Sequence, residues 1–212
     1  MKEQGMKDMV KDMGKKPARP VEHAGTEAPQ RGSAEPGDKR RVLREVTRQL
    51  ELGGIDYVIG GSGMLLGLGL TDTVGDWDIM TEASEKEIRA ALAAYTIIDA
   101  DGPSDLYRSA YKLRLDGTEP EVEIIGGFAV RTQRGICRLP ALPGTGGGDL
   151  RIASPEIWFA AYTLMDRTAK AERLEAYLHE HGAEPSALAY LRGQPVPEAL
   201  AERLNRLPEQ RR

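Results

Sequence analysis

Val42, Leu43, Val46 and Leu50 recur at the three- and four-residue spacing of one helix face, and Gly53-Gly54 follows them. A first helix is therefore expected over residues 39–52. Tyr57-Val58-Ile59 is an apolar run short enough for a buried strand. Gly60-Gly61-Ser62-Gly63 breaks it as a turn, and Met64, Leu65, Leu66 and Leu68 give a brief helix kept short by Gly67 and Gly69. The next strand is expected over residues 76–80. Alternation there puts Asp76 and Asp78 on one face and Trp77 and Ile79 on the other.

Ser84, with Glu87 three residues on, forms a capping box for a second helix whose buried face is Ile88, Ala91 and Leu92. Residues 95–99 read as a strand and 101–104 as a turn. Residues 106–115 alternate, with Tyr107, Ser109, Tyr111, Leu113 and Leu115 on one face and Arg108, Lys112 and Arg114 on the other. Asp116-Gly117 turns the chain, and residues 121–130 return as the second strand of a hairpin. A last short strand is expected at 136–139. Residues 140–149 form a glycine-rich loop that lacks the Lys-Ser/Thr pair of a phosphate-binding P-loop. Ser154 as cap and Pro155 in the first turn open one long helix over 155–181, closed by Gly182, with Ile157, Ala161, Leu164, Ala171, Leu174 and Leu178 as its stripe. Shorter helices follow around 187–191 and 197–207. The expected fold class is α/β (α+β): a small mixed sheet, helices packed on one side of it, and a helical C-terminal region.

Length changes little in this picture: 212 residues allow one domain, or one domain with a small helical appendage. Residues 1–38 are rich in Lys, Pro, Gly and Glu and hold few large apolar groups, so a disordered tail is expected. Residues 39–150 would be the catalytic domain and 151–212 the helical region. No apolar run is long enough to span a bilayer, the N-terminus is too polar for a signal peptide, and Cys137 is the single cysteine. A cytoplasmic protein with no membrane partner is the expectation. The net charge of −4 gives no electrostatic footprint for nucleic acid. Its distribution is uneven, because residues 45–150 carry 9 basic against 17 acidic groups.

Two carboxylates side by side on one strand repel each other. They are tolerable when a hard divalent cation sits between them. A strand ending in Gly60-Gly61-Ser62, a short helix, then Asp76-Trp77-Asp78-Ile79-Met80-Thr81 resembles the polymerase-β-like nucleotidyltransferase superfamily. The likeness is to the head domains of CCA-adding and poly(A) polymerases and to small bacterial nucleotidyltransferases. It covers roughly residues 56–94, plus a third carboxylate further on.

The resemblance implies a metal-dependent enzyme that moves a nucleotide from a nucleoside triphosphate (NTP) to a hydroxyl, with Mg2+, or Mn2+ in its place, as cofactor. Two cations on three carboxylates can neutralise the charge on the attacked phosphorus, the attacking oxygen and the leaving pyrophosphate. Asp76 and Asp78 would supply two. Glu123, mid-strand in Val122-Glu123-Ile124-Ile125, fits the third place, where the family usually carries aspartate; Glu121 shares its face and stays as the substitute. Both glutamates could instead pair across the hairpin with Lys112 or Arg114. Gly60, Gly61 and Ser62 would hold the triphosphate through backbone N–H groups and the Ser62 hydroxyl. Lys170, with Arg167 near it, lies where related enzymes place a triphosphate-binding lysine.

Polymerase heads carry Arg-Asp after the Gly-Gly, whereas Met64 and Leu65 stand here, and no base-selecting Glu-Asp-x-x-Arg motif follows. Without a basic tail domain, extension of a long nucleic acid is not expected, and the acceptor is a small molecule or a protein. The alternative is a catalytically degenerate fold acting as a binding or antitoxin-like module. A dinucleotide-binding reading of Gly61-Ser62-Gly63 with Glu82 as the ribose acid is the structural competitor. It leaves Asp76 and Asp78 without a role.

Overall fold

The computed structural model describes residues 39–100 and 104–210. The tail expected over 1–38 and most of the turn expected at 101–104 lie outside the described residues.

The first helix, α1 (Arg40–Leu52), buries the four residues that predicted it, Val42, Leu43, Val46 and Leu50. The sheet then takes shape around the paired aspartates. Strands β1 (Val58–Ile59), β2 (Asp76–Thr81), β3 (Ile97–Asp99), β4 (Tyr111–Leu115) and β5 (Glu121–Gly126) lie in the order β1-β2-β5-β4-β3. Only β2 and β5 are parallel; β1–β2, β4–β5 and β3–β4 are antiparallel. That mixed order excludes the dinucleotide-binding reading, which needs a parallel sheet and a crossover helix after the glycines. Glu82, its ribose acid, instead accepts a hydrogen bond from the Ala141 N–H.

Helix α2 (Gly61–Gly67) starts at the second glycine rather than at Met64, so the glycines are its first turn and not a preceding loop. Helix α3 (Glu85–Ala91) has the expected capping box between Ser84 and Glu87. Residues 106–110 form no regular strand of the hairpin; a bridge between Tyr107 and Val130 and isolated backbone hydrogen bonds, among them Ala110 N–H to the Gly126 carbonyl at 2.9 Å, tie them to the returning chain. Similarly, the returning strand stops at Gly126. The chain turns through Gly127 and resumes as β6 (Ala129–Thr132), which pairs with β7 (Gly135–Arg138) in a separate two-stranded sheet.

Helices cover both faces of the main sheet, not one. Trp77, Ile79, Leu113, Leu115, Val122 and Ile124 pack with α1 and α3 on the first face. Met80 and Ile125 on the second face pack against α4 (Pro155–Leu164). This helix is apolar around its whole circumference and buried from Pro155 to Tyr162, as a central helix must be. Its one buried carboxylate, Glu156, is satisfied by the Ser154 hydroxyl and the Glu184 N–H.

The single long helix expected over 155–181 is broken. Asp166, at φ 55°, ends α4, and the chain restarts as α5 (Thr168–His181), with α6 (Pro185–Arg192) and α7 (Glu198–Arg206) after it. The reason lies in burial. Helix α4 needs cover on all sides, whereas α5 buries only the stripe Ala171, Leu174 and Leu178. Aspartate is among the few non-glycine residues that enter the left-handed region readily. The break sets Arg167 and Lys170 at the start of α5.

No helix among the described residues is long and apolar enough to cross a membrane.

Candidate active site

The second face of the sheet changes character along its length. On β2 it runs Asp76, Asp78, Met80; on β5, Glu121, Glu123, Ile125. Parallel pairing sets Asp76 opposite Glu121, Asp78 opposite Glu123 and Met80 opposite Ile125. The apolar half lies under α4. The acidic half forms the floor of a cavity of about 740 Å3.

Asp76, Asp78 and Glu123 each offer one oxygen, and the three lie within 4.8 Å of one another. Two oxygens on one magnesium ion sit at most about 4.2 Å apart, twice the bond length of about 2.1 Å. A small contraction therefore closes the set on a cation. All the donors are carboxylate oxygens, the ligands that magnesium and manganese take, so the residues present fit such an ion. Glu121 stands apart: it points the same way but pairs with Arg114 at 3.4 Å.

Glu123 stands where both expected roles would place it. It joins the acidic cluster, and its Oε2 also accepts from Lys112 Nζ at 2.7 Å. Burial pulls the Lys112 ammonium down, but the hydrogen bond to Glu123 and the charges of Glu123 and Asp78 outweigh it and leave the amine above its ordinary value. Asp78 keeps only partial access at the cavity wall. Desolvation by the protein atoms around it, then the charges of Asp76 and Glu123, push its carboxyl up to about 7, against the weaker pull of Lys112 and Lys170. Burial and two neighbouring carboxylates both disfavour the ionised form, and an added positive charge would favour it.

The glycine turn is built around Asp78. Gly61, at φ +52°, lies so close that a Cβ there would fall 1.7 Å from Asp78 Oδ2. Gly60 sits beneath the Trp158 ring, which a Cβ would strike at 2.2 Å, and its N–H donates to the Asp78 carbonyl at 2.8 Å. That N–H is thus already engaged. The Ser62 hydroxyl is engaged as well, donating to the Asp76 carbonyl at 3.1 Å with a longer contact to Asp76 Oδ1 at 3.4 Å. Of the three turn residues, Gly61 alone lines the cavity. Gly61→Ala is expected to displace the Asp78 carboxylate and force a left-handed alanine, costing about 2 kcal/mol or more. Gly75→Ala, where a Cβ meets nothing within 4 Å, is the neutral control. Melting curves and Mn2+ titration of both variants check this.

The same cavity is also lined by basic and aromatic residues, Arg167, Lys170, Phe128, Trp158 and Tyr162. The Lys170 Nζ lies 5.2 Å from the centroid of the Tyr162 ring. Tyr162 itself escaped the sequence reading, because a tyrosine inside an all-apolar helix reads as core. Its ring does pack there, 5.1 Å from Trp158, yet its hydroxyl is buried with no hydrogen-bond partner. Such a group costs about 1–3 kcal/mol if nothing ever satisfies it. Arg108 does not reach the cluster, since its guanidinium donates to the carbonyls of Ser104 and Tyr107. His181 accompanies Tyr177 at the far end of α5, stacked on its ring at 4.2 Å.

No family model matches the chain, and no curated protein does. Solved structures similar to it include TM1012 from Thermotoga maritima, a supposed nucleotidyltransferase. It is 26% identical, with a TM-score of 0.47 over 66% of this chain and 92% of that one. The aminoglycoside nucleotidyltransferase ANT(2'')-Ia, solved in complex with adenylyl-2''-tobramycin, is 11% identical, with a TM-score of 0.44 over 70% of this chain and 94% of that one. JHP933 from Helicobacter pylori is 16% identical, with a TM-score of 0.32 over 74% of each chain.

Proposed function

We propose that this chain is a divalent-cation-dependent nucleotidyltransferase that moves a nucleotide from an NTP to a hydroxyl of a small molecule or a protein. One observation carries the reading: three carboxylates converge in a cavity that Arg167 and Lys170 also line. An acidic floor alone suits a cation, and a basic wall alone suits an anion. Both in one cavity suit a cation-bound polyphosphate.

Asp76, Asp78 and Glu123 would hold Mg2+ or Mn2+, which supplies neutralising charge where phosphoryl transfer builds it up. Lys170 and Arg167 bind the triphosphate and favour departure of pyrophosphate by countering its charge. The acceptor oxygen attacks the α-phosphorus, the bond to the β-phosphate oxygen breaks, and the three carboxylates are the groups on the cavity floor able to take the hydroxyl proton. Gly61 keeps the space beside Asp78 open. Ser62 orients Asp76, and Gly60 holds the α2 turn against β2 through the Asp78 carbonyl. We keep residues 39–150 as the catalytic portion, with Lys170 supplied by the helical region 151–212.

Calorimetry with each of the four NTPs, with and without Mg2+, tests the reading. Binding of at least one of them that strengthens with the cation is the expected result. No binding under any condition overturns it.

A second reading, a catalytically degenerate module of binding or antitoxin type, is favoured by the Lys112–Glu123 pair, which already neutralises one member of the acidic set. Glu123→Gln separates the two. A working transferase should lose about 10²-fold in pyrophosphate release, on the order of 3 kcal/mol, with its melting temperature little changed. A binding module shows no turnover in the wild type and no loss in the variant.

A further inference from the structure

Tyr162 supplies the one buried side-chain nitrogen or oxygen among the described residues that has no hydrogen-bond partner. The residue is 2% exposed and lines the cavity. Buried hydroxyls in folded proteins are overwhelmingly satisfied, so a lone orphan at a cavity wall points to a partner that the chain itself does not provide. The hydroxyl cannot swing elsewhere, because the ring is held by Trp158 at 5.1 Å and α4 is buried on every side.

Its surroundings say what the partner is. Burial, and after it the negative charges of Asp78 and Asp76, hold the phenol protonated well beyond neutral pH, so the hydroxyl at the cavity lining is a donor. A donor wants an acceptor oxygen. Lys170 lies over the face of its ring, and the Arg167 charge also reaches it. Three donors grouped in this way suit an anion with several oxygens, whereas a nucleobase or a sugar would leave the two cations without a counter-charge.

We propose that the Tyr162 hydroxyl donates a hydrogen bond to a non-bridging oxygen of the substrate's triphosphate, beside Lys170 and Arg167. This rests on the nucleotidyltransferase reading and extends it to a residue on the central helix. Tyr162 is then a binding residue for the polyphosphate, and its contribution is independent of the base.

The test uses inorganic triphosphate with Mg2+ as the base-independent probe, and the four NTPs beside it, titrated into full-length wild type, Tyr162→Phe and Lys170→Met. Removing only the hydroxyl should weaken inorganic triphosphate and the bound NTP by the same factor, about five- to tenfold. The melting temperature should stay level or rise, since an unsatisfied group has gone. Lys170→Met should weaken both by a larger factor. Unchanged affinity of Tyr162→Phe for inorganic triphosphate overturns the proposal, as does a loss seen with the NTP alone, which would place the hydroxyl on the base or sugar. A wild type that binds an NTP while Tyr162→Phe binds it equally well removes Tyr162 and leaves the nucleotidyltransferase reading standing. A wild type that binds neither probe removes both.

Discussion

Asp78→Asn is expected to lower magnesium-dependent pyrophosphate release by about 10³-fold, on the order of 4 kcal/mol, in a protein that folds as well as the wild type. Asp78 is the central member of the acidic set. Asp76 precedes it on the same face of β2, and Glu123 is its register partner on β5. Replacing it by the isosteric amide removes a full negative charge from the middle of the cluster and leaves volume and packing in place. A buried charge acts at a lower effective dielectric than an exposed one, so its loss is felt more. Glu123, already shared with Lys112, should matter less, hence the smaller loss expected for Glu123→Gln. The measurement is pyrophosphate release by wild type and variant at saturating NTP and Mg2+, beside a melting curve for each. A variant that melts normally and keeps wild-type turnover removes Asp78 from the reaction. A wild type that binds an NTP and never releases pyrophosphate from it, whatever alcohol is offered, favours the binding module.

How far the sequence alone leads differs from element to element, for physical reasons. Helix α1 and strand β2 could be read almost to the residue, because their burial is one-sided and one-sided burial writes a period into the sequence. The same logic failed at α4. A helix buried on all sides has no period to show, so nothing marked its end at Leu164. The turn at Asp166 has no glycine or proline to announce it, and the stripe of α5 was read straight through the break. Strand β5 was drawn too long for a related reason: Gly126-Gly127 looks like a tolerable flaw in a strand until the pairing partner is known. At the site, the acidic pair was evident because two like charges on one strand face need a reason to be there. Glu123 was preferred over Glu121 for its mid-strand place among apolar residues, and its register opposite Asp78, between strands more than forty residues apart, is what no local pattern encodes. Ser62 and Gly60 were expected to hold the triphosphate, and their hydrogen bonds instead go to the Asp76 and Asp78 carbonyls. Tyr162 gave no signal at all, since its significance is a missing hydrogen bond.

Stability of the metal-free protein should fall as the pH rises between about 4 and 7, and Asp78→Asn should remove that fall. Desolvation, then the charges of Asp76 and Glu123, raise the Asp78 carboxyl from its ordinary 3.8 to about 7 in the folded state. Below pH 4 the group is protonated in both folded and unfolded chains and contributes no difference. Between 4 and 7 the unfolded chain has released the proton while the folded chain still holds it. Folding therefore takes up a proton, and stability drops with rising pH by up to about 1.4 kcal/mol per unit. Above 7 both states are ionised and the loss is complete, on the order of 4 kcal/mol at most. The amide has no such proton, so the variant should match the wild type near pH 4 and be the more stable protein at pH 8. A cation held by the acidic set stabilises the ionised form, so adding Mg2+ at pH 8 should raise the wild-type melting temperature toward that of the variant and do much less at pH 5. Melting curves of both proteins in EDTA from pH 4 to 8, repeated with Mg2+, measure the difference directly and cancel the titration of every group the two share. Parallel curves, with the same gap at pH 4 and pH 8, would mean that Asp78 ionises freely and that the acidic floor carries no stored repulsion for a cation to relieve.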